Sequence, residues 1–102
     1  MVLQKNNGMK WWCFFDFRCA YSGEYIGGDS KNRTIDHITP LDKGGLNEIW
    51  NCVPCYSIYN FQKSTKDMLE WYTQQEFYSE DRLMKIYEWQ AYAFKKWVGY
   101  DD

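Results

Sequence analysis

The chain has 102 residues, which is enough for one small domain with a limited core. Its 12 basic residues against 14 acidic ones give a formal charge of −2, which argues against a protein that binds nucleic acid through basic charge alone. The sequence contains no apolar run long enough for a membrane span and no segment that resembles a signal peptide. We therefore predict a single domain, residues 1–102, of a cytoplasmic protein with four reduced cysteines.

The charge is distributed unevenly along the chain. Residues 1–66 contain eight basic and six acidic residues, a net charge of +2, whereas residues 67–102 contain four and eight, a net charge of −4. Because a DNA duplex is repelled by acidic surfaces, DNA is expected to approach the first of these two segments.

Two short strands are predicted in the first segment. Residues 34–38 alternate β-branched and polar side chains and stop before Pro40. A loop with Gly44 and Gly45 follows, and residues 49–53 suit a second strand. Pro54 is then suited to the first position of a helix, where its missing N–H group is not needed.

Two more helices are predicted after this one. The first covers residues 66–75 with Thr65 as its N-cap, and the second covers residues 80–98 between Ser79 as N-cap and Gly99. The apolar stripe of the second helix is formed by Leu83, Ile86, Tyr87, Gln90, Ala93, Phe94 and Trp97. Trp89 and Tyr92 lie off this stripe, so they either pack on Trp11 and Trp12 or form a docking surface.

The chemically most informative feature is the pair Asp36-His37, since His37 is the only histidine of the chain. An imidazole can take a proton from water near neutral pH. Asp36 offers the hard oxygen ligand that magnesium prefers. Neighbouring residues of a strand point to opposite faces, so the pair is useful only if one side chain serves a metal and the other serves the water.

The wider pattern is specific. The sequence reads DHIxPxxxGG from Asp36, with Asn51 fourteen residues after the histidine and an NxxK motif, Asn60 to Lys63, nine residues further on. This pattern resembles the HNH endonucleases, and in particular the zinc-free H-N-N variants similar to the HNH domains of CRISPR effector nucleases and to small phage and bacterial HNH proteins. The resemblance implies an α+β fold, with a ββα-metal core at about residues 18–66 and a C-terminal helical extension, residues 67–102. It also implies metal-dependent hydrolysis of phosphodiester bonds in DNA.

The same resemblance implies a role for each motif residue. His37 would be the general base, and Asn51 would brace the loop and fix the backbone of His37. Asp36 and Asn60 would be the ligands of Mg²⁺ or Mn²⁺, because an amide oxygen suits these metals better than zinc or nickel. Lys63 would contact a phosphate. Further nucleic-acid contacts are expected from Lys66, Lys43 and Arg33.

The cysteines depart from the family pattern. Many HNH nucleases hold a structural zinc with two CxxC pairs, but the four corresponding positions here are Cys19, Ser22, Tyr56 and Tyr59. A structural zinc is therefore not expected, and the cysteines would be buried thiols. An alternative stays open, in which Cys52 and Cys55 form a shifted zinc site with Cys13 and Cys19.

A second function is compatible with the sequence. The aromatic residues of the C-terminal helices could dock the chain to a protein partner or to a second copy of itself. The chain would then be an HNH scaffold that acts as a binding module in a larger nucleic-acid-processing assembly.

Overall fold

The structure is a computed structural model that describes residues 10–28 and 31–99. It has the predicted α+β fold, in which a two-stranded antiparallel sheet is followed directly by a helix. The helices and strands in chain order are α1 (Trp11–Phe14), β1 (Arg33–His37), β2 (Cys52–Tyr56), α2 (Ser57–Lys63), α3 (Met68–Tyr72) and α4 (Glu80–Ala93). A π-helical turn, Phe94–Val98, continues α4. No helix in the described ranges combines the length and apolar character that crossing a bilayer requires.

The second strand lies later in the chain than the sequence predicted. Residues 49–51 form a short 3-10 helix, and β2 begins at Cys52. Pro54 lies inside β2, opposite Ile35, so its assignment to a helix start is wrong. Among the described residues β2 has a neighbouring strand on only one side, which is why it tolerates a proline.

One of the two predicted helix caps is present and the other is replaced by a different residue. Ser79 caps α4 as predicted, since its Oγ accepts a hydrogen bond from the N–H of Arg82 at 3.2 Å. The cap of α3 is Asp67 rather than Thr65, and its Oδ2 accepts from the N–H of Glu70 at 3.2 Å. A carboxylate is the better cap here because it also interacts favourably with the helix dipole.

The C-terminal helix is part of the same core as the sheet. Trp89 is fully buried, and its indole N–H donates to the carbonyl oxygen of Cys52 at 2.8 Å. Its ring packs against Phe14, Phe15 and Tyr92, with ring centroids 5.2, 6.3 and 5.9 Å away. Trp89 and Tyr92 thus both pack on Phe14, two residues after the Trp11-Trp12 pair. Trp89 is buried although it lies off the predicted apolar stripe.

Candidate active site

A cleft of about 210 Å³ lies at the end of β1. Three polar residues of the motif line it: Asp36 and His37 from β1, and Asn60 from α2. The other side of the cleft is formed by the segment after β1 and the end of α2, namely Pro40, Leu41, Asp42, Ser64 and Thr65. The fold therefore brings together residues that are 23 or more positions apart, which the spacing alone could only suggest.

Asn51 braces the loop that separates the two strands. Its Oδ1 accepts from the N–H of Thr39 at 2.9 Å, and its Nδ2 donates to the carbonyl oxygens of Thr39 and Leu46 at 3.0 and 2.8 Å. Its own carbonyl oxygen accepts from the N–H of Ile38 at 2.7 Å. These bonds fix the backbone one and two residues after His37, so Asn51 acts on the cleft through the loop.

The two glycines allow this loop to close. Gly44 has a φ of 87°, in the left-handed region that favours glycine. A Cβ on Gly45 would lie only 1.9 Å from the carbonyl oxygen of Thr39. Any other residue at position 45 would therefore push apart the segment that Asn51 holds.

His37 is oriented by a residue that the motif did not indicate. Its Nε2 lies 2.9 Å from Oδ1 of Asn47. Because an amide oxygen only accepts hydrogen bonds, Nε2 carries the hydrogen in the neutral ring and Nδ1 is left as the basic nitrogen. The only sequence signal for Asn47 is a polar residue in the loop between the glycines and Asn51.

Asp36 is held by two donors inside the protein. The hydroxyl of Tyr21 donates to its Oδ2 at 2.6 Å, and the Nζ of Lys63 lies 3.3 and 3.4 Å from its two oxygens. Burial raises the pKa of the Asp36 carboxyl, and the nearby Lys63 opposes this rise. Burial next to Asp36 also raises the pKa of Tyr21 well above its usual value, which keeps its hydroxyl a donor.

The position of Lys63 corrects an expectation from the sequence. Lys63 is fully buried, and its Nζ donates to the carbonyl oxygen of His37 at 3.0 Å as well as to Asp36. The predicted phosphate contact would require the ammonium group to leave both partners. The physical reason is that Asp36 is itself buried and needs a cation beside it.

Comparison with known proteins agrees with this geometry. A profile of the HNH endonuclease family matches residues 19–67. The chain is also 33% identical, over 75 residues, to a protein of Bacillus subtilis (strain 168) that bears the name "SPbeta prophage-derived putative HNH endonuclease YoqL". The aligned part covers 72% of this chain and 30% of that protein.

The chain belongs to the HNH endonuclease family. The profile covers the cleft, both strands and α2, whereas α4 lies beyond it. This membership is shown at the level of the family, and the chain spans about a third of the length of the Bacillus subtilis protein.

The oxygen atoms of the cleft suit the divalent metal expected for this HNH chain. The Nδ2 of Asn60 donates to Oγ1 of Thr34 at 3.0 Å and to the carbonyl oxygen of Ile35 at 3.3 Å. These bonds use only the nitrogen of the amide, so its oxygen is left as a ligand for the cleft. Asp36 contributes a carboxylate, and Asp42 adds a second one that the motif did not indicate. Magnesium takes few protein ligands and completes its shell with water and phosphate, so this oxygen set fits it.

The other three basic residues predicted to contact nucleic acid are placed differently from Lys63 and from one another. Lys43 is exposed and follows Asp42, and Lys66 is exposed and follows Thr65, so both flank the cleft. Arg33 lies at the opposite end of β1 from His37, about 13 Å away along a strand. Its guanidinium donates to the carbonyl oxygen of Gly27 at 2.6 Å and lies 5.6 Å from the ring centre of Trp12.

The cysteines of this HNH chain are separated into different environments. Cys13 is exposed, and Cys52 lies on β2 opposite His37. Cys19 and Cys55 are both buried and are hydrogen-bonding partners of each other. Within residues 10–28 and 31–99, no three His, Cys, Asp or Glu side chains are arranged to share a metal ion. The four cysteines are therefore not gathered into the shifted zinc site that the sequence left open.

Proposed function

We propose that the chain is a metal-dependent endonuclease that hydrolyses phosphodiester bonds in DNA, with His37 as its general base. The observation that carries the proposal is the shared cleft, in which the side chains of Asp36, His37 and Asn60 lie together. Hydrolysis needs a group that takes a proton from water and a cation that offsets the charge developing on the phosphate. These three side chains are suited to both tasks.

His37 would take the proton at Nδ1. The hydrogen bond between Nε2 and Asn47 sets the direction of the ring, and the bond from Lys63 holds its backbone carbonyl. The bonds of Asn51 hold the next two residues. A base that is fixed in this way does not need to be ordered again when the substrate binds.

Asp36 and Asn60 would hold Mg²⁺ or Mn²⁺ at the cleft. When bound, such an ion supplies positive charge for the phosphate oxygens and for the leaving oxygen. Tyr21 and Lys63 fix the carboxylate of Asp36 from the interior, so that its direction is set before any ion arrives. Lys43 and Lys66 would contact phosphates beside the cleft.

The alternative function as a binding module has less support. Its motivation was the aromatic surface of the C-terminal helix, but Trp89 is fully buried and Tyr92 packs on Phe14, with ring centroids 5.8 Å apart. The packing of these rings explains their presence without a partner. Conversely, the cleft and the hydrogen bonds that fix its residues have no use in a protein whose sole role is to bind a partner protein.

A cleavage assay tests the proposal. The full chain is incubated with supercoiled, linear and single-stranded DNA and with RNA of the same sequence, in Mg²⁺, Mn²⁺ or a chelator. We expect DNA cleavage with either metal, none with the chelator, and a large loss of rate in His37→Ala. Cleavage of RNA alone would overturn the proposed substrate. A folded protein that cleaves neither nucleic acid would favour the binding module.

A further inference from the structure

Two buried thiols lie outside the candidate active site and have no role in the proposed mechanism. Cys19 is 1% exposed and Cys55 is fully buried. The backbone N–H of Ala20 donates to the carbonyl oxygen of Pro54 at 2.9 Å, so the two segments run side by side at this point. The thiols themselves are hydrogen-bonded to each other. The pair therefore joins the segment before β1 to the second strand.

The other two cysteines lie in different places. Cys52 is three residues from Cys55 on the same strand, so the two side chains leave β2 on opposite faces. Cys52 also lies near the charges of Asp36 and Glu48, which is a different environment. Cys13 is exposed and lies in α1. Proximity thus singles out Cys19 and Cys55.

The two thiols have different surroundings. A hydrogen bond from Cys55 lowers the pKa of Cys19 to about 6. Burial opposes this change, and hydrogen bonds from Ser22 add to it. The bond between the two thiols and burial raise the pKa of Cys55. While Cys19 is protonated, the Cys55 thiol has a second acceptor in the carbonyl oxygen of Tyr56, 3.3 Å away. Cys19 is therefore the nucleophile of the pair and Cys55 keeps its proton.

A cavity lies beside Cys19. It measures about 300 Å³, and Cys19 is one of the residues that line it. Three cationic side chains, Arg18, Arg82 and Lys85, line it together with a single acid, Asp16. Cationic surroundings of this kind favour the thiolate form of a cysteine.

We propose that Cys19 and Cys55 form a reversible disulfide when the protein meets a peroxide. The Cys19 thiolate attacks one peroxide oxygen, the oxygen–oxygen bond breaks, and the leaving hydroxide is protonated to water. The sulfur of Cys55 then attacks the resulting sulfenic acid, its proton leaves with the hydroxyl group as a second water, and the sulfur–sulfur bond forms. Two thiols are oxidised by two electrons and one peroxide is reduced to two waters.

The bridge would act as a covalent staple. It would close the segment from Cys19 to Cys55, which contains β1, Asp36, His37 and Asn51. Closing a loop stabilises the fold by restricting the unfolded chain. A small domain gains from such a link because its core is limited. We expect the oxidised protein to unfold at a temperature higher by roughly 10 °C.

The test uses full-length chains in which only two cysteines remain. Cys13→Ser with Cys52→Ser leaves the proposed pair, and Cys13→Ser with Cys55→Ser leaves Cys19 with Cys52 as a matched control. After treatment with hydrogen peroxide, we expect the first protein to lose the mass of two hydrogen atoms and to regain it with dithiothreitol. The control should form no bridge within the chain.

Two outcomes would overturn the proposal. One is a first variant in which both thiols stay free at peroxide concentrations that oxidise Cys13 of the unmodified chain. The other is a bridge that forms equally well in the control. Should Cys55→Ser not fold, fragment sequencing of the peptide 44–63 from the oxidised unmodified chain distinguishes Cys52 from Cys55 as the partner of Cys19. None of these readouts depends on nuclease activity.

Discussion

The ammonium group of Lys63 lies 3.3 Å from Oδ2 of Asp36 inside the protein, where the exposed fractions of the two side chains are 0% and 4%. A lysine near the end of a helix would ordinarily extend into solvent. Here the last turn of α2 turns it towards the end of β1, where it also holds the carbonyl oxygen of His37. The pair therefore links the helix and strand that form the cleft.

We expect Lys63→Met to lower the free energy of unfolding by about 3–5 kcal/mol, because removing one partner leaves a buried carboxylate without a counter-charge. Urea denaturation measures this change. Lys66→Met is the matched control, since Lys66 is exposed and its loss should alter the free energy by no more than about 0.5 kcal/mol. Equal effects of the two substitutions would show that the buried pair does not stabilise the fold.

His37→Ala should reduce the rate of DNA cleavage on the order of 10²-fold or more, as expected for the loss of a general base. Because His37 is only half-buried, thermal unfolding should change little. Asn47→Ala should reduce the rate less, because the base remains and only the hydrogen bond to its ring is lost. A His37→Ala variant that cleaves as fast as the unmodified chain would rule out this residue as the base.

Asn60→Ala should increase the Mg²⁺ concentration needed for half-maximal cleavage, because one of the proposed protein oxygen ligands is removed. Binding of Mn²⁺, followed by electron paramagnetic resonance, should weaken in parallel. Gln62→Ala is the control, since Gln62 lies on the same helix and is exposed. If Asn60→Ala binds Mn²⁺ as tightly as Gln62→Ala does, Asn60 is not a metal ligand.

Tyr72 should make the fold less stable at alkaline pH. Its hydroxyl is buried, donating to the carbonyl oxygen of Tyr21 at 2.6 Å, and burial is the main cause that raises its pKa above the ordinary value of 10.0. The folded state then holds this proton more tightly than the unfolded state does, so stability is complete below pH 10 and falls as the pH rises further.

Tyr72→Phe should reduce the loss of stability above pH 10, because the titrating hydroxyl is gone. It should also lower the stability at neutral pH, because the hydrogen bond to Tyr21 is lost. Urea denaturation between pH 8 and about pH 11 measures both effects. Tyr25→Phe is the control, because the Tyr25 side chain is 63% exposed. Identical pH profiles for the three proteins would contradict the assignment.

Salt dependence tests the three predicted basic contacts separately. Each phosphate contact that is lost should reduce the slope of log K against log salt by about 1. We expect this reduction for Lys43→Ala and for Lys66→Ala, which flank the cleft, but not for Arg33→Ala. With so few basic residues the isolated chain should bind DNA weakly at physiological salt, and a steep slope with tight binding would contradict this expectation.

The sequence was most informative where several residues had to act together. The motif of Asp36, His37 and Asn60 predicted residues that share one cleft, because the first two end a strand and the third lies on the helix that packs beside it. Ser79 and Gly99 predicted the bounds of the last helical segment from local chemistry. Local signals of this kind do not depend on packing elsewhere in the chain.

The sequence was less informative where packing decides. Pro54 is compatible with both a helix start and an edge strand, and only the pairing with β1 selects the strand. The inward direction of Lys63 follows from the burial of Asp36, which involves Tyr21 and is invisible in the NxxK spacing. Likewise, Trp89 could be assigned to the core only when its partners in and next to α1 were known.

The hydrogen bond from Trp89 to Cys52 limits which segments of this chain can be exchanged with a relative. Cys52 is paired with His37 across the sheet, so a residue beyond the profile match holds the strand that faces the proposed base. The segment that carries the motif is therefore not a transplantable unit. A recombinant that exchanged only residues 19–67 between relatives would separate the strand from the tryptophan that supports it, and α4 would have to be inherited together with the motif.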